Sequence, residues 1–187
     1  MAGFDGEAYQ SRFDALAASG VDVHGEADLV RSYQPSSVLD AGCGTGRVAA
    51  ELARQGIETV GVDLEASMIS EARRRAPELT WLEADMCGLD LGRRFDVVVM
   101  AGNVPIFCPE STRADLIASC ARHVGDGGRL IAGFQLQRGY PLEEFDRAAE
   151  RSGLTLEDRW STWDRQPFAP GGDYAVSVHH RRARTAV

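Results

Sequence analysis

The residues with chemical potential begin with an acid and three glycines. In VLDAGCGTGR (38–47) an apolar run ends in Asp40, and Gly42, Gly44 and Gly46 follow at every second position. Glycine at the carboxyl end of a strand lets the chain turn sharply and lets a ligand approach the backbone. Open α/β sheets collect ligands at that end, near the point where strand order reverses. The pattern therefore asks for a nucleotide-like ligand. Its spacing narrows the choice: a dinucleotide fingerprint reads GxGxxG, whereas this one reads GxGxG, and no lysine follows as a phosphate-cradling loop requires. The Asp40 carboxylate would repel a pyrophosphate and suits a ligand bearing an ammonium group and a sulfonium.

Positioning such a turn takes an alternation of strands and helices, and the chain supplies it. SSVLDAG (36–42), TVGVD (59–63), LTWLEAD (79–85), FDVVVMAG (95–102) and RLIAGFQ (129–135) are β-branched or apolar runs that read as strands. Between and after them, RVAAELARQG (47–56), EASMISEARRRAP (65–77), STRADLIASCARHVGDGG (111–128, capped by Ser111) and PLEEFDRAAERSG (141–153) read as helices. LTLEDRWSTW (154–163) and DYAVSVHHR (173–181) alternate more loosely, as strands nearer an edge do, and the turn-rich DRQPFAPGG between them makes an antiparallel hairpin. Two helical stretches, 7–18 and 25–33, precede Ser36. The expectation is an α/β fold: a doubly wound, seven-stranded, mostly parallel sheet with an antiparallel last strand and an N-terminal helical cap. The cap covers residues 1–35 and belongs to the same domain as the ligand-binding part, 36–187.

Composition bounds the reading. A chain of 187 residues, 44% hydrophobic, suits one domain with a sizeable core. A net charge of −8 argues against free nucleic acid as a partner. All 20 basic residues are arginine, which reads as a genomic codon bias. Cys43, Cys87, Cys108 and Cys120 form no CxxC pair and match no zinc spacing. They read as reduced thiols in a cytoplasmic protein. The acidic N-terminus, without a continuous apolar core, is expected to be neither a signal peptide nor a membrane span.

DAGCGTG, followed by GVDLEASM and LEADM, resembles the class I S-adenosylmethionine-dependent methyltransferases. The resemblance covers 36–135 strongly and the remainder by element order, and it implies S-adenosylmethionine as cofactor and S-adenosylhomocysteine as product. It implies that Gly42, Cys43, Gly44 and Gly46 wrap the methionine half of the cofactor and that Asp40 helps place its amino group. Asp63 would accept hydrogen bonds from two ribose hydroxyls, a task suited to a two-oxygen acceptor. NAD-binding folds use the same device. Leu64 and Met68 would line the adenosine region, Asp85 would take the adenine amino group, and Met86 would pack on the ring. The alternative for Asp85 is a helix cap. Ala101, Gly102 and Asn103, at the end of the fourth strand, would face the reactive end.

The acceptor side is less patterned. The amino-methylating members of that family often carry an Asn-Pro-Pro-aromatic run where this chain has Asn103-Val104-Pro105-Ile106-Phe107, so amino-group chemistry is not carried over. The carboxylates that metal-dependent members need near this strand end are missing, and no metal is expected. Positioning alone can supply roughly 7–11 kcal/mol of a barrier, and a general base is required only when the nucleophile arrives protonated. Candidate catalytic residues are His24, Asn103 and Tyr140. Glu26, in the second N-terminal helix, reaches the cofactor's amino group or stands as an exposed first-turn acid. Phe107, Gln135, Arg138, Tyr140 and Trp163 are candidate substrate contacts. His123, His179 and His180 read as structural or solvated, and the RRAR run (181–184) as a frayed tail. The expected activity is metal-independent, in-line methyl transfer to a small molecule, with oligomeric state left open. Two competing readings are an NAD(P)-linked oxidoreductase and a catalytically silent cofactor-binding module. The glycine spacing and the absence of a Tyr-x-x-x-Lys pair argue against the first; the second stays open, because fold does not fix function.

Overall fold

The protein is described by a computed structural model covering residues 5–20 and 22–183. In chain order the elements are α1 (Gly6–Ala18), α2 (Gly25–Arg31), β1 (Ser37–Ala41), α3 (Arg47–Arg54), β2 (Glu58–Asp63), α4 (Ala66–Arg75), β3 (Thr80–Glu83), β4 (Phe95–Met100), α5 (Val104–Phe107), α6 (Arg113–Arg122), β5 (Val124–Gln135), α7 (Leu142–Arg151), β6 (Thr155–Trp160) and β7 (Tyr174–His180). The strands form one sheet in the order β3-β2-β1-β4-β5-β7-β6. β1 pairs in parallel with both β2 and β4, and β7 runs antiparallel to both β5 and β6. Strand order reverses between β1 and β4, which puts the ligand crevice of such a sheet at their carboxyl ends.

Alternation along the central strands sorts side chains onto two covered faces. Val38, Val97, Val99, Ile131 and Val176 pack against Leu29 and Val30 of α2 and Val48 and Leu52 of α3. Leu39, Val98, Met100 and Leu130 pack on the other side with Ile117 of α6 and Phe145 of α7. Because both faces are buried, VVVM (97–100) reads as an unbroken apolar run instead of an alternating one. A third cluster joins Ala49, Ile69 and Ala72 to Trp81. α1 lies across α4 so closely that a Cβ on Gly6 would stand 2.7 Å from the Ser67 carbonyl oxygen.

Several boundaries differ from the sequence expectation. Helix α6 stops at Arg122, and VGDGG belongs to β5, where Val124 faces Phe95 and the register then shifts. The glycines are an irregularity within a strand, not the end of a helix. The α6 N-cap is Thr112, after a 3₁₀ turn over Glu110–Thr112, and Ser111 makes no side-chain cap. β7 is an inner strand, with Ala175–His179 buried, and β6 alone forms that edge. Arg181 is tied down: its guanidinium donates to the carbonyls of Ala121 at 2.8 Å and Val124 at 3.2 Å. That corrects the frayed-tail reading for this residue, while Arg184 lies outside the described residues. His123 is fully buried, its Nε2 accepting from Leu91 N–H at 3.0 Å while its Nδ1 lies 2.8 Å from the Ser119 carbonyl oxygen. His179 is buried against Phe145, with Nε2 3.2 Å from Asp146 Oδ1.

Candidate functional site

At the carboxyl end of β1 the backbone turns through three left-handed glycines, with φ of +77° at Gly42, +55° at Gly44 and +81° at Gly46. The three have different neighbours. A Cβ on Gly42 would stand 2.5 Å from Val104 of α5, and one on Gly46 would stand 2.3 Å from the Trp81 ring. Gly42 and Gly46 therefore let α5 and β3 pack against the turn. Gly44 is the open one: a Cβ there would meet only Tyr9, at 3.9 Å.

Two acids frame this turn. Asp63, the last residue of β2, accepts from Gly44 N–H at 2.7 Å through one oxygen and from Glu65 N–H at 2.9 Å through the other. One carboxylate thus fixes both the glycine turn and the start of α4. Each oxygen keeps a lone pair for a further donor. Asp40 is buried, with one oxygen accepting from Ala49 N–H at 3.2 Å and the other, Oδ1, without any donor. Burial pushes its pKa up to about 7, against the opposing pull of Ala49 N–H and the Arg47 charge. A buried carboxylate oxygen with no donor is costly. An ammonium group delivered to it by a ligand removes that cost, so the residues present fit the amino end of S-adenosylmethionine.

Toward the expected adenosine side, Leu64 is 63% exposed although large and apolar, and Met68 and Met86 are buried. Asp85 stands beyond the end of β3 and closes a tight turn by accepting from Cys87 N–H at 2.8 Å, in place of the alternative helix cap. Its exposed carboxylate keeps acceptor capacity for a ligand.

The cap meets the glycine turn through Arg47. Glu26 does not stand free toward the cofactor: its two oxygens take the two Nη atoms of Arg47 at 2.6 and 3.0 Å. Arg47 also donates to the Val23 carbonyl and lies 4.6 Å over the Phe13 ring. Gln10 of α1 accepts from the Thr45 hydroxyl inside the turn itself. Arg47 and Thr45 were visible in the sequence as neighbours of glycine, but their partners lie 21 and 35 residues upstream. His24 is directed to Glu51, 4.0 Å away on α3.

On the acceptor side, Gly102 and Asn103 both adopt φ of +73° before α5. Asn103 joins two strand ends: its N–H donates to the Gly133 carbonyl at 3.1 Å, and its side-chain oxygen accepts from Gln135 N–H at 2.8 Å. Trp163 and Tyr174 sit over Gly133, where a Cβ would come within 2.3 Å of the indole and 2.7 Å of the phenol oxygen. The Trp163 indole N–H donates to the Tyr174 hydroxyl at 3.1 Å. Burial pushes the Tyr174 pKa up to about 12, with the nearby Glu26 charge adding to the rise. Tyr174 therefore stays protonated and is a hydrogen-bond donor, not a base. Sequence reasoning named Trp163 and missed Tyr174, because only the β5–β7 pairing brings the two together. Phe107 is 60% exposed, and Gln135 and Arg138 are exposed at the following turn. Tyr140 points elsewhere: it is buried, stacked on Phe134 at 5.5 Å and covered by Arg113 at 4.8 Å. Its place is the core under α6 and α7, which corrects its expected part at the ligand end.

Comparison with known proteins agrees with this geometry. Residues 38–128 match the family described as "Methyltransferase domain". The crystal structure of a TehB-like SAM-dependent methyltransferase from Corynebacterium glutamicum is 37% identical, with a TM-score of 0.89 over 95% of this chain and 98% of that one. A dTDP-3-amino-3,4,6-trideoxy-alpha-D-glucopyranose N,N-dimethyltransferase from Streptomyces venezuelae is 36% identical over 126 residues, 66% of this chain and 52% of that protein. A second sugar N,N-dimethyltransferase, from Streptomyces fradiae, is 37% identical over 158 residues, 81% of this chain and again 52% of the relative. The chain spans about half the length of these curated relatives.

Proposed function

This chain belongs to the S-adenosylmethionine-dependent methyltransferases, and we propose that it methylates a small molecule held at the carboxyl ends of β4, β5 and β7. The observation that carries the reading is the buried, donorless Oδ1 of Asp40 beside a glycine turn whose middle residue is open. When bound, S-adenosylmethionine supplies an electrophilic methyl group on positively charged sulfur. Asp40 receives the cofactor's ammonium group, and the Gly42–Gly46 backbone with Cys43 encloses its methionine half. Asp63 takes the ribose hydroxyls, while Leu64, Met68, Asp85 and Met86 bound the adenosine. The helices within residues 1–35 act as the cap, drawn onto the turn by Arg47 and Thr45. Ala101, Gly102 and Asn103 form the floor between cofactor and acceptor.

Trp163, Tyr174, Gln135, Arg138 and Phe107 surround the acceptor. The lining holds no free carboxylate among the described residues: Tyr174 and Arg138 are donors, the Gln135 amide both donates and accepts, and Glu26 is engaged by Arg47. An acceptor whose lone pair is free at neutral pH fits this lining best, since nothing further than orientation is asked of the protein. The sugar N-methyltransferases among the relatives support a neutral amine on a small polar scaffold over a nucleic acid. A cytoplasmic location is part of the same proposal, supported by the four cysteines being free thiols, as a reducing compartment keeps them. Among the described residues no helix is long and apolar enough to cross a membrane.

Thermal shift with S-adenosylhomocysteine and NAD tests the cofactor assignment: a ligand at a hundredfold excess over its dissociation constant adds about 2.7 kcal/mol of stability. S-adenosylhomocysteine should stabilise and NAD should not. Transfer of labelled methyl from S-adenosylmethionine into a metabolite extract separates an enzyme from a silent binding module; binding without transfer would favour the latter.

A further inference from the structure

Cys87 and Cys108 lie 21 positions apart in the chain, yet their sulfurs are 3.5 Å from each other. Cys87 follows Met86 in the turn that Asp85 closes, and Cys108 follows the last residue of α5. Both are half-buried, whereas Cys43 and Cys120 are buried. Thr112 backs the pair, with its Oγ1 3.2 Å from Cys108 Sγ and its carbonyl accepting from Cys87 Sγ at 3.7 Å. A disulfide needs the sulfurs about 2.05 Å apart, so closure asks for an approach of roughly 1.5 Å between two loop segments. No strand has to move.

We propose that Cys87 and Cys108 are a modification site, at which a low-molecular-weight disulfide drives formation of a reversible intramolecular disulfide tying the loop after β3 to the end of α5. In the first exchange one cysteine thiolate attacks the small disulfide, forms a mixed disulfide and releases one small thiol. In the second, the other cysteine attacks the protein sulfur of that mixed disulfide and expels the second small thiol. The protein loses two hydrogens and two electrons, and the oxidant leaves as two thiols. A thiol-rich environment reverses both steps. The bond joins the segment carrying Asp85 and Met86 to the segment carrying Gly102, Asn103 and Val104. Those are the two walls on either side of the glycine turn, so closure makes them move as one unit. Burial and the neighbouring thiol push Cys87 up to about 12. Cys87 gains no stabilisation as thiolate, and the exchange quickens at alkaline pH.

The inference stands on the sulfur geometry and is independent of the acceptor assigned above. It is tested on the folded protein with oxidised glutathione at about pH 8.5. Cleavage after arginine puts each cysteine in its own peptide: Cys43 in 32–47, Cys87 in 76–93, Cys108 in 95–113 and Cys120 in 114–122. The expected product is a 76–93 to 95–113 crosslink in a protein that has lost two hydrogens and regains them with dithiothreitol. Amides of 86–89 and 103–108 should exchange more slowly once it forms, and Tm should rise by about 5 °C or more. Cys87→Ser and Cys108→Ser should each take up one glutathione in place of the crosslink. A persistent glutathione adduct on the wild-type protein, a crosslink through Cys43 or Cys120, or an unchanged mass under conditions that fully oxidise the urea-unfolded chain would each overturn it.

Discussion

The two halves of the ligand end are built on different principles. On the β1–β2 side, function rests on residues fixed by their own backbone: left-handed glycines at 42, 44 and 46 and carboxylates at or near strand ends. On the β4–β5–β7 side it rests on long-range contacts: Asn103 bridging to Gln135, and Trp163 with Tyr174 over Gly133. The first half is constrained by a small fixed ligand and by close packing. The second is assembled from four chain segments whose side chains can be exchanged without redrawing the sheet. On the proposed reading, the cofactor is met by the rigid half and the acceptor by the assembled half.

The comparison can be broken by substitution. The largest effect is expected at Gly46→Val, where a side chain meets both φ of +81° and the Trp81 ring at 2.3 Å; this should cost about 3 kcal/mol or more. Gly102→Ala also stands at positive φ, but in open space, and should cost only about 1 kcal/mol. Denaturant midpoints for the pair check the contrast, and equal losses would erase it.

Next comes Arg47→Met. It strands Glu26, whose side chain is 17% exposed, and should cost about 2–3 kcal/mol. The double variant with Glu26→Met should recover much of that, as urea unfolding of both proteins would show.

A smaller effect sharpens the functional contrast. Asp63→Asn keeps one acceptor oxygen for the glycine turn but loses the charge, and should weaken S-adenosylhomocysteine binding about tenfold. Trp163→Phe should leave that affinity within about twofold and lower methyl transfer instead, because the lost hydrogen bond, worth about 1 kcal/mol, lies on the acceptor side. Calorimetry on the two variants distinguishes them.

The same division decides what the sequence could reveal. The seven strands, their sense and the glycine turn were legible because hydrophobic period and positive-φ positions are local signals. β7 looked like an edge strand because its alternation is loose; its inner position depends on pairing with β5, which no local pattern encodes. VGDGG resembled a helix stop, since the glycines are the same whether they end a helix or kink a strand. Glu26 was visible, but its bidentate partner 21 residues away was not. Tyr140 followed β5 on the ligand side in sequence, and only the packing of Phe134, Phe145 and Arg113 around it shows that it turns into the core.

Asp40 offers the most direct test of the cofactor site. Its pKa is raised on folding from 3.8 to about 7. A raised carboxyl pKa means that the folded state holds the proton more tightly. Its contribution to stability is therefore largest below pH ~4, falls as pH rises toward ~7 and is constant above, a span of up to about 4 kcal/mol. The difference between wild type and Asp40→Asn isolates this slope from the opposite one of paired acids such as Glu51. An ammonium-bearing ligand needs the ionised carboxylate, so calorimetric titration with S-adenosylhomocysteine is the decisive measurement. The account predicts that wild-type affinity drops about tenfold from pH ~8 to pH ~6 while Asp40→Asn binds weakly at both. An Asp40→Asn protein that binds as tightly as wild type and follows the same pH dependence would contradict it.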